Sequence, residues 1–406
     1  MAEPKSSLLD NFFDLCRVPS PSLHEREVAK VVAKKIRELG YEPLEDAAGQ
    51  NLGGDCGNIV VTIPGTGKGP SLLLSAHLDT VEMPADPPAR PRLDGEWISR
   101  EGGGILGADN KTGVAILLEV LKRLKKNEIR HGDMLFAFTV AEEKECRGAA
   151  ELDPELYRNL DAGIALDHSH PREIVVAAPT KVSFRITIHG ISGHAAFPER
   201  KINAGHVMAQ TMARLPMGRL DEFTTANLGV MRAGSAINVI PGTAYAEYEI
   251  RSHRKDVLDF HVKRVIGIIE GVVRENRIFS FDADEDTEGT DNAEPRMRIR
   301  HSQVDVDVEV GYEGYRVPDN ARIVTLLSDA IRKTGLEPAL VTAQGGSDAN
   351  IFNRRGLESV VIGCGIFGAH GATERANIFD MEDTVNVLMH LIADMKTSLR
   401  GRKRPS

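Results

Sequence analysis

Five side chains able to hold a divalent cation each follow a short apolar run, in the chain order His77, Asp109, Glu143, Asp167 and His370. A parallel sheet offers its ligand sites at the carboxyl ends of its strands, so side chains at five such exits can converge on one cleft. Two imidazoles and three carboxylates suit a pair of divalent cations, zinc first, with cobalt or manganese as substitutes.

His77-Leu78-Asp79 follows the run Leu72-Leu73-Leu74, and residues two apart in extended chain share a face. His77 is therefore placed to ligate while Asp79 orients its ring, as outer carboxylates do for metal-bound histidines. In Gly107-Ala108-Asp109-Asn110-Lys111-Thr112-Gly113 the acid precedes a helix. It can cap that helix, bridge two cations through its two oxygens, or do both. Glu142 and Glu143 directly follow the apolar run Met134 to Val140, where two adjacent acids need a purpose because an unpaired buried charge is costly. Glu143 is assigned to the metal and Glu142 to general acid/base catalysis. Asp167 ends the run Ala162 to Leu166, and His370 lies in Gly368-Ala369-His370-Gly371, beyond a strand ending near Ile366.

Elements at regular intervals must position these groups. Ser22 and Glu25 have the spacing of a capping box, and Val28, Val31, Val32, Ile36 and Leu39 then recur at helical spacing up to Gly40, which predicts an amphipathic first helix. Ile59 to Ile63, Leu72 to Ala76, Met134 to Val140 and Ala162 to Leu166 read as buried strands, and Thr112 to Leu124 as a helix. Alternation of this kind predicts an α/β fold: a mostly parallel sheet with helices on both faces. From Lys181 the pattern changes to the period-two strand Val182, Phe184, Ile186, Ile188, which opens a different layer. Its expected order is βαββαβ, with helices over Ala204 to Leu215 and Val257 to Val273 and further strands over Leu228 to Arg232, Ala244 to Ile250 and Val304 to Val310. The acidic stretch Phe281 to Glu294 reads as a solvated excursion. After Val317-Pro318 the first pattern resumes, with a helix Ala321 to Lys333, an extended Ala339 to Thr342, a strand Ser359 to Ile366 and a last helix Glu382 to Leu399. The expected organisation is a catalytic domain in two parts, 1–180 and 316–406, interrupted by an α+β domain at 181–315.

Composition narrows the function classes. At 406 residues the chain exceeds one ordinary core, and 41% hydrophobic with 27% charged residues is the balance of a globular protein. A net charge of −9 speaks against a nucleic-acid partner. Cys16, Cys56, Cys146 and Cys364 are scattered without a Cys-x-x-Cys pair, as expected of reduced thiols in a cytoplasm. No stretch approaches membrane-spanning length and no leader pattern opens the chain, so the expectation is a cytoplasmic protein without a membrane partner.

These motifs resemble the di-zinc exopeptidase family that includes peptidase T, aminoacylases, glutamate carboxypeptidases and succinyl-diaminopimelate desuccinylase. The likeness extends to Val18-Pro19-Ser20-Pro21-Ser22, Gly193-His194-Ala195-Ala196-Phe197-Pro198, Asn238-Val239-Ile240-Pro241 and Gly345-Gly346-Ser347-Asp348, and is strongest to peptidase T-like members. The resemblance implies one zinc on His77 and Asp167, the other on Glu143 and His370, Asp109 bridging, Asp79 orienting His77 and Glu142 as base. It implies substrate-binding roles for His194, Asn238 and Arg251 in an inserted lid and dimerisation domain, His194 and Asn238 often reaching across a homodimer in relatives. An aspartate at the position of Asp167 goes with aminopeptidase or dipeptidase action in relatives, which favours a tripeptidase-like aminopeptidase acting on small peptides. The alternative is an amidohydrolase of N-acyl or N-carbamoyl amino acids. One departure is Glu142-Glu143-Lys144-Glu145-Cys146-Arg147-Gly148, where family members have a glycine sooner after the acid pair. His168 and His170 beside Asp167 are extra, and read as groups behind the ligands, as adventitious metal binders or, in preference, as solvent-facing loop histidines.

Other patterns carry no chemistry. Gly102-x-Gly104-x-x-Gly107 does not sit between the first strand and helix of a βαβ unit. Asp282-x-Asp284-x-Asp286 has Thr287 where a calcium loop needs glycine. Gly65-Thr66-Gly67-Lys68 is too short for a phosphate loop, and no Gly-x-Ser-x-Gly elbow occurs.

Overall fold

Strands Leu72–His77 and Met134–Thr139 are buried along their whole length, and their side chains alternate between two covered faces. Leu72, Leu74, Phe136 and Phe138 enter one core, while Leu73 and Leu135 enter another. Burial on both faces is why these strands read as continuous apolar runs and not as alternating ones. In this computed structural model the described residues are 7–67, 69–81, 88–127, 129–282 and 296–393.

The chain divides into two compact units, Met1–Ala178 with Tyr312–Ser406, and Pro179–Gly311. In the first, the central strands Met134–Thr139, Leu72–His77, Ala162–His168 and Ser359–Gly363 lie side by side and parallel. Antiparallel neighbours extend the sheet, Ile59–Ile63 on one side and Glu173–Ala178 on the other. Helices cover one face through Ser7–Cys16, Ala108–Asn127, Arg322–Lys333 and Ile378–Ile392, and the short Arg147–Glu151 and Asp348–Arg354 pack on the other. Parallel order sets the ends of three ligand-bearing strands on one edge.

Several expectations are corrected. The first helix is Ser7–Cys16, with Leu8, Phe12 and Leu15 buried, so Arg26–Glu38 is the second. No capping box forms at its start. Ser22 instead donates to Asp79 at 2.7 Å, and Glu25 accepts from the amides of Leu23 and Ala141, each at 2.9 Å. The stretch Ser359 to Ile366 is two strands. The chain leaves the central sheet after Gly363 and turns at Gly365 (φ +83°), and Ile366–Phe367 joins a second, antiparallel sheet with Arg375–Asn377, Trp97–Arg100 and Pro91–Asp94. A positive φ of that size suits glycine. The last helix begins at Ile378, where Asn377 caps the amides of Phe379 and Asp380. The part of it expected beyond residue 393 lies outside the described residues, as does 283–294 of the acidic stretch.

The second unit is a five-stranded sheet in the order Gly218–Arg219, Thr224–Ala233, Thr243–Ser252, Thr180–His189, Gln303–Tyr312. Helices Ala204–Arg214 and Lys255–Glu275 pack against it. Val182, Phe184, Ile186 and Ile188 are buried in its core while Arg185 between them is exposed, the period-two pattern of a half-covered sheet.

Candidate metal centre

Strand ends place the acids and imidazoles. His77 closes its strand opposite Thr139, and Glu142 and Glu143 follow that neighbour after one turn through Ala141, whose φ is +50°. A left-handed non-glycine residue here marks a turn held by its surroundings. Asp167 lies where the pairing with Ser359–Gly363 slips: Leu166 meets Ile362 and His168 meets Gly363. Such a bulge re-aims the extra residue.

The geometry gathers the groups tightly. His77 Nε2 stands 3.0 Å from Asp109 Oδ1, 3.9 Å from Asp167 Oδ1 and 4.0 Å from Glu142 Oε2. His370 Nε2 stands 2.8 Å from Glu143 Oε1 and 3.3 Å from Asp109 Oδ2. Asp109 thus turns one oxygen to each histidine. His77, Asp109 and Asp167 form one group able to hold an ion, and Asp109, Glu143 and His370 form another.

Asp79 is fully buried and meets His77 Nδ1 at 3.2 Å through Oδ1. It also accepts from Ser22 and from the amides of Glu142 (3.0 Å) and Glu143 (3.1 Å). One carboxylate therefore sets both the imidazole and the acid pair.

Asp109 does not cap its helix. Backbone angles at Asp109 and Asn110 are non-helical, and Asn110 Oδ1 accepts the Gly113 amide at 3.1 Å while its Nδ2 donates to Leu166 O at 2.5 Å. Asn110 is the cap, which leaves the Asp109 carboxylate to the two histidines. A Cβ on Gly113 would lie 2.4 Å from Asn110 Oδ1, so only glycine fits there.

Two acids of the site escaped the sequence reading. Glu374, buried four residues beyond His370, accepts from the amides of Leu106 (2.6 Å), Gly107 (2.9 Å) and Asp109 (2.9 Å). Asp348 accepts from Thr139 Oγ1 at 2.6 Å and gathers with Glu142 and Cys146. The signal for Asp348 was its Gly345-Gly346-Ser347-Asp348 context. Glu374 had none beyond its nearness to His370. His168 pairs with Glu173 at 3.1 Å, and His170 with Asp380 at 3.6 Å, so neither joins the two groups.

In the second unit, strand Gly193–His194 pairs with Val239–Ile240, and Asn238 O accepts the Ala195 amide at 2.9 Å. His194 and Asn238 therefore share a corner. Arg251 lies toward the far end of strand Thr243–Ser252, where Glu249 holds its guanidinium at 2.9 Å.

Electrostatics reflect the crowding. Burial works against a charged His77, yet its bonds to Asp109 and Asp79 prevail and hold the imidazole well above its usual range. Hydrogen bonds that it donates to Asp109 and Glu143 lift His370 to about 10. Burial, and then the nearby acids, push Glu142 and Asp167 far up, and burial brings Asp348 to about 6. Asp109 is driven down, its bonds to both imidazoles outweighing its burial. Crowded carboxylates set among imidazoles are a donor set fitted to divalent cations of the zinc class.

Fold and donor set together define a metal-dependent hydrolase. The chain belongs to peptidase family M20/M25/M40, whose profile matches residues 73–394, and within it is peptidase T-like. It is 31% identical to a tripeptidase from Staphylococcus aureus subsp. aureus Mu50, covering 96% of this chain and 98% of that one at a TM-score of 0.81. It is 30% identical to the aminopeptidase PepT from Bacillus cereus ATCC 10987, with the same coverage and a TM-score of 0.77. YqjE of Bacillus subtilis (strain 168) is 30% identical over 95% of this chain and 98% of its own length. No helix among the described residues is long and apolar enough to cross a membrane.

Proposed function

We propose that the protein is a cytoplasmic, tripeptidase-like aminopeptidase using two divalent cations, zinc by preference. His77, Asp109 and Asp167 would hold one and Asp109, Glu143 and His370 the other. The observation that carries the reading is Asp109, whose two oxygens face the histidines of two separate donor groups. Such a cation pair supplies a Lewis acid and a water acidified to near neutrality. Glu142 accepts the proton of the attacking water and returns it to the departing amine. Asp79 keeps the His77 ring in place.

In this proposal the inserted unit serves as lid and dimerisation domain, and His194, Asn238 and Arg251 bind substrate. About 25 Å of extended strand separates Thr243, near the His194 corner, from Arg251, whereas an extended tripeptide spans only about 10 Å. A short peptide meeting both therefore takes them from different copies, which supports a homodimer. Light scattering showing a monomer at micromolar concentration would count against it.

The test is a substrate panel of tripeptides, dipeptides and N-acetyl and N-carbamoyl amino acids, run with elemental analysis of the purified protein. Tripeptide cleavage with bound zinc is expected, and cleavage of the acylated set alone would replace the peptidase reading with the amidohydrolase one. Glu142→Gln should retain its metal and lose on the order of 10² to 10⁴ in turnover. Near-normal turnover would remove Glu142 from its role.

A further inference from the structure

We infer that Cys146 is a positioning residue for Glu142, its thiol holding one oxygen of that carboxylate so that the other faces His77. The inference rests on the proposal that Glu142 is the base. Cys146 Sγ donates to Glu142 Oε1 at 3.2 Å, and Glu142 Oε2 lies 4.0 Å from His77 Nε2. The carboxylate thus has a held end and a working end. The thiol is its one side-chain donor among the described residues, since Asp348 on the same side offers only acceptors when ionised.

The backbone is arranged to bring the thiol there. Glu145 and Cys146 have φ of +71° and +58°, a region where a residue with a Cβ is uncommon and glycine is the easy choice. The turn is closed by Cys146 N to Glu142 O at 2.7 Å and Arg147 N to Ala141 O at 3.1 Å. A glycine at this position would make the turn without reaching Glu142. Cys146 is 1% exposed, and burial together with the Glu142 charge raises its thiol well above the ordinary range. It stays protonated, a donor and not a nucleophile.

The test uses the full chain and the best tripeptide of the panel. Cys146→Ala should lower kcat about tenfold while KM stays within roughly twofold, and Cys146→Ser, which keeps a donor, should recover kcat to within about threefold of the parent. A second readout needs no turnover. In the metal-free protein, at a pH high enough to ionise Glu142, the infrared S–H stretching band absent from Cys146→Ser should move to higher frequency in Glu142→Gln, because an amide oxygen accepts more weakly than a carboxylate. Unchanged kcat in Cys146→Ala, a loss that serine does not rescue, or an unmoved S–H band would each overturn the positioning role. Normal turnover in Glu142→Gln would instead overturn the base assignment, whatever the band does.

Discussion

The two donor groups share Asp109 and differ in nearly everything else. The His77 side is built on the sheet: its imidazole is 2% exposed, ends a fully buried strand, and is braced by an Asp79 that three other groups also fix. The His370 side is built on a loop. Its imidazole is 51% exposed, sits at a φ of +62°, and is carried between two short strands of the small antiparallel sheet. One half of the centre is buried and braced by hydrogen bonds, and the imidazole of the other is open to solvent. Preorganisation of this kind favours tighter holding and slower exchange on the buried side.

Variants can break or sharpen that contrast. Asp109→Ala should have the largest effect, because it removes the one ligand common to both sides. Cation content should fall on both, with a loss in turnover of at least the roughly 10² to 10³ that a single aimed electrostatic contact is worth. A variant that kept a full complement of metal would end the shared-ligand picture. Asp79→Ala should weaken the His77 side by about 10- to 100-fold in cation affinity, read by calorimetric titration, and the His370 side less, since there Asp79 touches only the Glu143 amide. Equal weakening on both sides would show that the contrast in support has no thermodynamic weight. The smallest effect is kinetic. A dilute chelator should withdraw cation in two phases, and the fast phase alone should vanish in His370→Ala. A single phase in the parent protein would mean that the two sides exchange alike.

Legibility in the sequence followed the range of the interactions involved. Ile59–Ile63 has in the structure the bounds its apolar run predicts, because strand burial is written in consecutive residues. Three of the candidate ligands were legible for a related reason: His77, Glu143 and Asp167 stand at or just beyond the exit of such a run. The capping box failed because Ser22 and Glu25 found partners at Asp79 and Ala141, far along the chain, and tertiary bonds displaced a local motif. Asn110 took the cap expected of Asp109 for the same cause, since its other end is tied to Leu166. Cys146 and Glu374 were illegible as parts of the site, and Asp348 showed only through its Gly345-Gly346-Ser347-Asp348 context. What each does depends on an atom its own neighbourhood does not reveal: Glu142 Oε1, Thr139 Oγ1 and the Asp109 amide.

The carboxylate of Glu374 joins the segment bearing His370 to the backbone of Asp109, two stretches separated by about 260 positions of chain. A growing polypeptide on the ribosome can therefore fold most of its sheet long before it owns either His370 or the strut that aligns Asp109. On the proposed ligand set, hydrolytic competence would arrive only with the closing portion of synthesis, and unfinished products of translation would be harmless to the peptides around them.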